Sequence, residues 1–274
     1  KPEKLGARIF SSTAGRVKEL TDSAVVIEES GEQPEDFVKI EPEDEELLSF
    51  VRAAGVVGMG GAGFPTDVKL KLDLKNGYVL VNAAECEPLL AHNMKQIMEQ
   101  CEKTLRGVEY CMKITHAPQA VIAIKAKHKR EIEELKKYLP EHPGIGIHLL
   151  PDLYPMGEER AVVREVLGKL LPPTALPSAA DAVVINVETV LRVAEAIEDR
   201  RPVFTKNLTV AGKLKKGTES QVFQDVPIGT TVGELIERAG GIDGEYGEII
   251  LGGPFTGHAV GMDEPITKTT GGII

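Results

Sequence analysis

Four short stretches carry residue types that could do chemistry. The first is GVVGMGGAGFPTDVKL at 55–70, with glycine at five of the nine positions from 55 to 63. Glycine permits backbone conformations and close approaches that a Cβ forbids. Successive exposed N–H groups then form a concave site for an anion such as phosphate, and Lys69, just beyond the loop, could add positive charge. A tight turn where two elements pack closely is the other reading. The spacing departs from the dinucleotide fingerprint, which follows a strand and leads into a helix, so a different phosphate-bearing cofactor is to be considered. The second stretch is NAAECEP at 82–88, where Glu85 and Glu87 flank Cys86. The carboxylates could accept hydrogen bonds from ribose hydroxyls or a carboxamide, or simply form a solvated acidic turn. Cys86 reads as a packing residue rather than a reactive thiol, because adjacent carboxylates raise a thiol pKa. The third stretch is YPMGEER at 154–160, whose Glu158 and Glu159 also suit the first turn of a helix. The fourth is INVET at 185–189, where Asn186 could bond a heterocycle edge and Glu188 or Thr189 could cap a helix.

The elements that must position these motifs are legible from periodicity. Apolar runs at 78–84, 120–126, 145–150 and 181–187 read as buried strands, and each is followed by a segment of helical spacing. The pattern predicts an α/β fold, with a mostly parallel sheet covered on both faces. NAAECEP, YPMGEER and INVET then lie at the carboxyl ends of three strands, where open α/β sheets keep their ligands. A helix is expected over 41–54, with Pro42 in its first turn and Leu47, Leu48, Val51 and Ala54 on one face, so that the glycine loop follows a helix. Residues 1–40 read as a small all-β unit. After about residue 203 the style changes to strands around one short helix near 231–239, a compact α+β module.

Composition narrows the function classes. With 274 residues, 42% apolar and 27% charged, the chain has material for a main domain and smaller companions. A formal charge of -10 argues against nucleic acid or an anionic membrane as the main partner. No apolar run reaches the roughly 18 residues of a spanning helix, and the N-terminal residues lack a signal-peptide core. A cytoplasmic chain is expected. The three cysteines, Cys86, Cys101 and Cys111, form no CxxC pair, and the six histidines form no ligand pair, so no metal site is proposed.

In this order, the four motifs resemble the C subunit of the Rnf electron-transport complex and its soluble relatives, and more distantly the flavin-bearing, NADH-oxidising subunit of respiratory complex I. GMGGAGFPT is similar to the family's FMN-binding glycine loop, and NAAECEP, YPMGEE and NVET are similar to its other flavin-side motifs. The resemblance runs over nearly the whole chain. It implies a Rossmann-like sheet of the complex I flavin-subunit type at 41–203, with a partial barrel-sandwich β segment at 1–40. A β-grasp domain of the soluble-ligand-binding type is implied at 204–258. Residues 259–274 would then lead to a ferredoxin-like domain with two [4Fe-4S] clusters, so the chain is expected to be a fragment of a longer protein. Ala84 and Met59 match the Rnf side better than the complex I flavin subunit.

The resemblance also implies roles. Gly58, Gly60, Gly61 and Gly63 with Lys69 would cradle FMN and its phosphate, Asn82 and Glu85 would contact the flavin, and Asn186 would lie along it. Phe64, Glu87, Glu158 and Glu159 would meet NADH. No catalytic residue beyond the flavin is implied. Hydride would pass from NADH to the flavin and electrons onward singly to clusters, within a complex of other subunits that could hold the chain at the periphery of the inner membrane, without direct membrane insertion. Two other readings remain open: a cobalamin reductase with a corrinoid acceptor, and a flavin-free docking or ligand-binding module. The stretch YPMGEERAVVREVLG is similar to the electron-transfer protein associated with proline reductase.

Overall fold

The computed structural model describes residues 5–215 and 220–274. It opens with an exposed antiparallel hairpin, β1 (Gly15–Leu20) and β2 (Val25–Glu29), whose turn is closed by the Ala24 amide donating to the Thr21 hydroxyl at 2.9 Å. Helix α1 (Leu47–Ala53) is shorter than the 41–54 expected. Its buried face begins only at Phe50 and Val51, whereas 43–46 is an exposed acidic run with no apolar side to bury, so nothing offsets the cost of ordering an earlier turn. A single turn, α2 (Thr66–Lys69), follows the glycine loop.

The central body alternates strand and helix: β3 (Tyr78–Ala83), α3 (His92–Glu99), α4 (Cys101–Thr115), β4 (Gln119–Lys125), α5 (Lys129–Tyr138), β5 (Ile145–Leu150), α6 (Glu159–Leu167), β6 (Ala182–Asn186) and α7 (Val187–Glu198). The four strands form one parallel sheet in the order β5-β4-β3-β6. Their positions agree with the apolar runs of the sequence. The helical spacing at 94–105 is divided between α3 and α4, with a break at Gln100, where φ is -133° and ψ 35°.

Alternation along each strand decides which helices it meets. Val79, Val81 and Ala83 pack with Leu105 and Val108 of α4 and Val190 and Val193 of α7. Leu80, Ala84 and Val184 pack on the other face with Val162 and Val163 of α6. Each fully buried Val or Leu contributes roughly 1.5–3 kcal/mol, and the sheet is thereby covered on both sides. Because the chain moves from β3 outward to β4 and β5 and then returns to β6 beyond β3, the connections diverge between β3 and β6. Their carboxyl ends flank the crevice where ligands of such sheets sit.

A second sheet follows: β7 (Thr205–Val210), β8 (Gln221–Pro227), helix α8 (Val232–Arg238), β9 (Ile249–Leu251), β10 (His258–Val260) and β11 (Gly272–Ile273), in the order β10-β9-β11-β7-β8. Thr231 and Glu234 start α8 with a reciprocal capping box. Here the division expected at residue 258 is corrected. Residues 259–274 are not a trailing segment: β11 lies in the middle of the sheet, parallel to β7 and antiparallel to β9. Ile266 and Ile273 are buried in the same core as Leu208 and Leu235. A two-residue strand containing glycine leaves almost no periodic signal; backbone bonds to both neighbours, among them Ala211 N–H to the Ile273 carbonyl at 2.9 Å and Gly252 N–H to the Gly272 carbonyl at 2.8 Å, and the burial of Ile273 hold it in place.

Candidate functional site

The glycine loop is pinned at its base and open at its tip. Val57 bridges Pro65, and the Gly58 amide donates to the Phe64 carbonyl at 2.9 Å. The Met59 amide donates to the Thr189 hydroxyl at 2.9 Å, so the first turn of α7 tethers the loop from beneath. The Gly60 and Gly61 amides have no acceptor among the described residues and lie on exposed backbone. A Cβ at Gly60 would sit 2.5 Å from Asn186 Nδ2, whereas one at Gly61 would meet nothing within 4 Å. Glycine at 60 is thus required by a close approach, and Gly61 faces open space.

Asn82 and Asn186 are register partners at the ends of β3 and β6. Asn186 caps α7 by accepting the Glu188 amide at 2.8 Å. Asn82 accepts the Ala84 amide at 3.1 Å and donates to the Gly157 carbonyl at 2.8 Å, which ties the YPMGEE turn to β3. The Gly157 amide in turn donates to Cys86 Sγ at 2.7 Å. Burial raises the pKa of that thiol, so Cys86 acts as an acceptor within the turn.

The carboxylates separate by partner. Glu85, in the left-handed region at φ 41°, has a buried side chain that accepts the Asn93 and Met94 amides at 3.0 and 3.3 Å, at the start of α3. Burial raises its pKa to about 7 against those two bonds. His92 Nδ1 lies 3.8 Å from Glu85 and 3.3 Å from the Thr209 hydroxyl, and burial lowers its pKa to about 3, so it is neutral. Glu158 caps α6 and pairs with Arg160 at 2.8 Å. Burial opposes its ionisation, but Arg160 and the α6 amides outweigh it and hold the carboxyl below its usual range. Glu87 accepts the Phe255 amide at 2.9 Å and the Thr256 hydroxyl at 2.7 Å, both from the GGPFTG loop between β9 and β10. The Tyr154 and Phe255 rings meet beside it, with centroids 4.5 Å apart.

These groups surround one cleft of about 680 Å³. Of the residues singled out in the sequence, Gly60, Gly61, Asn82, Glu85, Glu87, Glu158 and Asn186 line it. Gly58, Gly63, Phe64, Lys69 and Glu159 do not. Lys69 and Glu159 are bonded to each other, joining the loop to α6, and Phe64 is exposed. The Glu87 carboxylate, expected to meet NADH, is engaged by the loop beyond β9.

Sequence reasoning missed the opposite wall, which comes from the second sheet and includes Leu251, Gly253, Thr267, Thr269 and Gly271. It also missed Lys268, a buried lysine whose ammonium donates to the Arg8 and Gly55 carbonyls at 2.6 Å each; burial lowers its pKa to about 8. Glu188, read as a possible cap, is instead buried in an ionic cluster with Lys206 and Arg192. The threonine-rich segment after residue 266 is visible in the sequence, but nothing local links it to a loop some two hundred residues earlier.

A parallel α/β sheet with a glycine loop and polar strand ends converging at its switch point defines a binding domain for a phosphate-bearing cofactor. The particular family follows from comparison: residues 51–195, more than half of the chain, match the Nuo51 FMN-binding domain, and the chain belongs to that family. It is 43% identical over 231 residues to the cobalamin reductase PduS of Salmonella typhimurium, covering 84% of this chain and 49% of that protein. It is 33% identical over 290 residues to the C subunit of the proton-translocating ferredoxin:NAD(+) oxidoreductase complex of Clostridium ljungdahlii, covering 98% of this chain and 62% of that one. The chain therefore spans about half to three fifths of the length of these relatives. The fold is also that of a chain in the air-oxidized NAD+-reducing [NiFe]-hydrogenase, with a TM-score of 0.70 at 22% identity over 84% of this chain and 47% of that one. No helix among the described residues is long and apolar enough to cross a membrane.

Proposed function

We propose that the chain is the flavin-binding part of an electron-transfer protein that oxidises NADH through FMN and delivers electrons to iron-sulfur clusters or a partner reductase in a cytoplasmic complex. The observation that carries this reading is the pair of amides at Gly60 and Gly61, without a partner among the described residues and presented to the same cleft as Asn82 and Asn186. Free amides at a glycine turn suit a phosphate, and Gly61 leaves open space that a side chain would fill. The residues present therefore fit the cofactor. When bound, FMN supplies hydride acceptance from NADH and one-electron delivery onward.

The chain's own residues bind and orient. Gly60 and Gly61 would donate to the phosphate end, while Thr189 tethers the loop that carries them and Asn186 packs close against Gly60. Asn82 holds the YPMGEE turn over β3 and presents its amide at the cleft floor. Glu85, buried beside neutral His92, is a carboxyl that can hold a proton near neutral pH at the floor of the cleft. Glu158 remains ionised at the mouth, where it can accept from ribose hydroxyls. Anaerobic NADH added to the FMN-reconstituted chain should bleach the flavin band within the mixing time; a bound flavin that stays oxidised under NADH would overturn the NADH half of the reading.

A second reading has a specific support. The 43% identity to a protein named cobalamin reductase favours a corrinoid as the final acceptor. Both readings use the same flavin site, and a reduced-flavin chain challenged separately with a corrinoid and with a ferredoxin separates them by which is reduced.

A further inference from the structure

The cleft has an electrostatic problem. Four glutamates, Glu85, Glu87, Glu158 and Glu264, line it, and no lysine or arginine does among the described residues. A phosphate monoester carries nearly two negative charges at neutral pH. Lys69 is off the lining and bonded to Glu159. Neutral donors and a charge from outside the cleft must therefore hold the anion.

Residues 267–270, TKTT, offer both. Burial alternates along this segment, with Thr267 and Thr269 exposed and Lys268 and Thr270 buried; all three threonines line the cleft, and the Thr267 hydroxyl lies 3.1 Å from that of Thr269 and 3.4 Å from that of Thr270. The Thr269 methyl lies 3.0 Å from where a Cβ on Gly63 would sit, so the segment packs directly on the glycine loop. The Lys268 ammonium reaches behind that loop to the Gly55 carbonyl and has no carboxylate within ion-pair distance among the described residues. Its partners among the described residues are the two carbonyls and the face of the Phe10 ring, 5.9 Å away, none of which cancels a full positive charge.

We propose that the TKTT segment is the second half of the phosphate cradle, with the Thr267 and Thr269 hydroxyls donating alongside the Gly60 and Gly61 amides and the Lys268 ammonium supplying the balancing charge from behind the loop. The inference rests on the FMN reading and deepens it, because the segment lies outside residues 51–195 matched by the FMN-binding family. It makes cofactor binding a property of both sheets together.

The test compares FMN with riboflavin, which has the same ring and ribityl chain and no phosphate. Dissociation constants for both are measured by fluorescence quenching with the unsubstituted chain, Lys268→Met, and the double variant Thr267→Val with Thr269→Val. The expected result is an FMN affinity reduced about tenfold in each variant, with riboflavin affinity unchanged. Equal losses for the two flavins, or no loss for either, would overturn the proposal. Should Lys268→Met fail to fold, the threonine variant at exposed positions decides alone. An unsubstituted chain that binds FMN and riboflavin equally also overturns the phosphate cradle while leaving the flavin reading standing; one that binds neither removes the flavin reading and the proposal with it.

Discussion

At Gly61 an added Cβ meets nothing within 4 Å, so a larger side chain there disturbs the ligand space and not the packing. Gly61→Leu should therefore unfold at the same urea concentration as the parent chain and lose FMN binding by about a hundredfold or more. Parent-like quenching by FMN in that variant would remove the loop from the site. Glu85 and His92 make a second residue-scale prediction, with opposed signs. Folding raises Glu85 from 4.5 to about 7, so the folded chain binds that proton more tightly and the contribution to stability falls as pH rises across this window. Folding lowers His92 from 6.5 to about 3, so its contribution rises with pH up to about 6.5. The two slopes oppose one another between about pH 4.5 and 6.5. Glu85→Gln should leave the rising slope alone, and the free energy of urea unfolding of the variant should climb with pH over that interval more steeply than that of the parent, by about 1 kcal/mol per pH unit. Identical slopes would mean that the Glu85 carboxyl is not held out of water as the geometry implies.

At the scale of elements, α4 and α7 cross closely on one face of the sheet. Gly107 permits it, since a Cβ there would run into the Val190 carbonyl. In an exposed helix Gly→Ala stabilises by up to about 1 kcal/mol. Here the sign should reverse, and Gly107→Ala should cost about 2 kcal/mol in chemical unfolding through overpacking. A stabilised variant would contradict the close crossing. Most of this body was readable in advance because buried parallel strands are short apolar runs and their helices carry strong one-sided faces. The α1 boundary was not, because Pro42 and the acidic residues after it are good first-turn residues in any helix, and whether a helix begins there depends on apolar contacts that the local sequence does not contain. The partner of Glu87 was equally hidden: its acceptor role is set by Phe255 and Thr256, which only the folded topology brings to the end of β3.

For the whole molecule, the two sheets are held together by charge buried between them. Lys206 of β7 is fully buried and bonds Glu188 of α7, which also pairs with Arg192. Breaking one side of such a pair leaves an uncompensated buried charge. Lys206→Met should cost about 3 kcal/mol or more, and adding Glu188→Gln to it should recover part of that loss; a loss that deepens in the double variant would contradict the pairing. The same residue, Glu188, sits two positions after Asn186, so the element that holds the glycine loop also anchors the second sheet. The wall formed by 251–271 escaped sequence reasoning because its lining is mostly glycine and threonine, with no periodic pattern to tie it to the glycine loop. The central claim is that this two-sheet cleft binds FMN and exposes it to NADH. Its most direct test is a titration of the chain with FMN, followed by flavin fluorescence, then anaerobic NADH with the visible flavin band monitored. Quenching should saturate near one equivalent, and the flavin band should bleach on NADH addition. A folded chain that neither quenches nor retains FMN would contradict it.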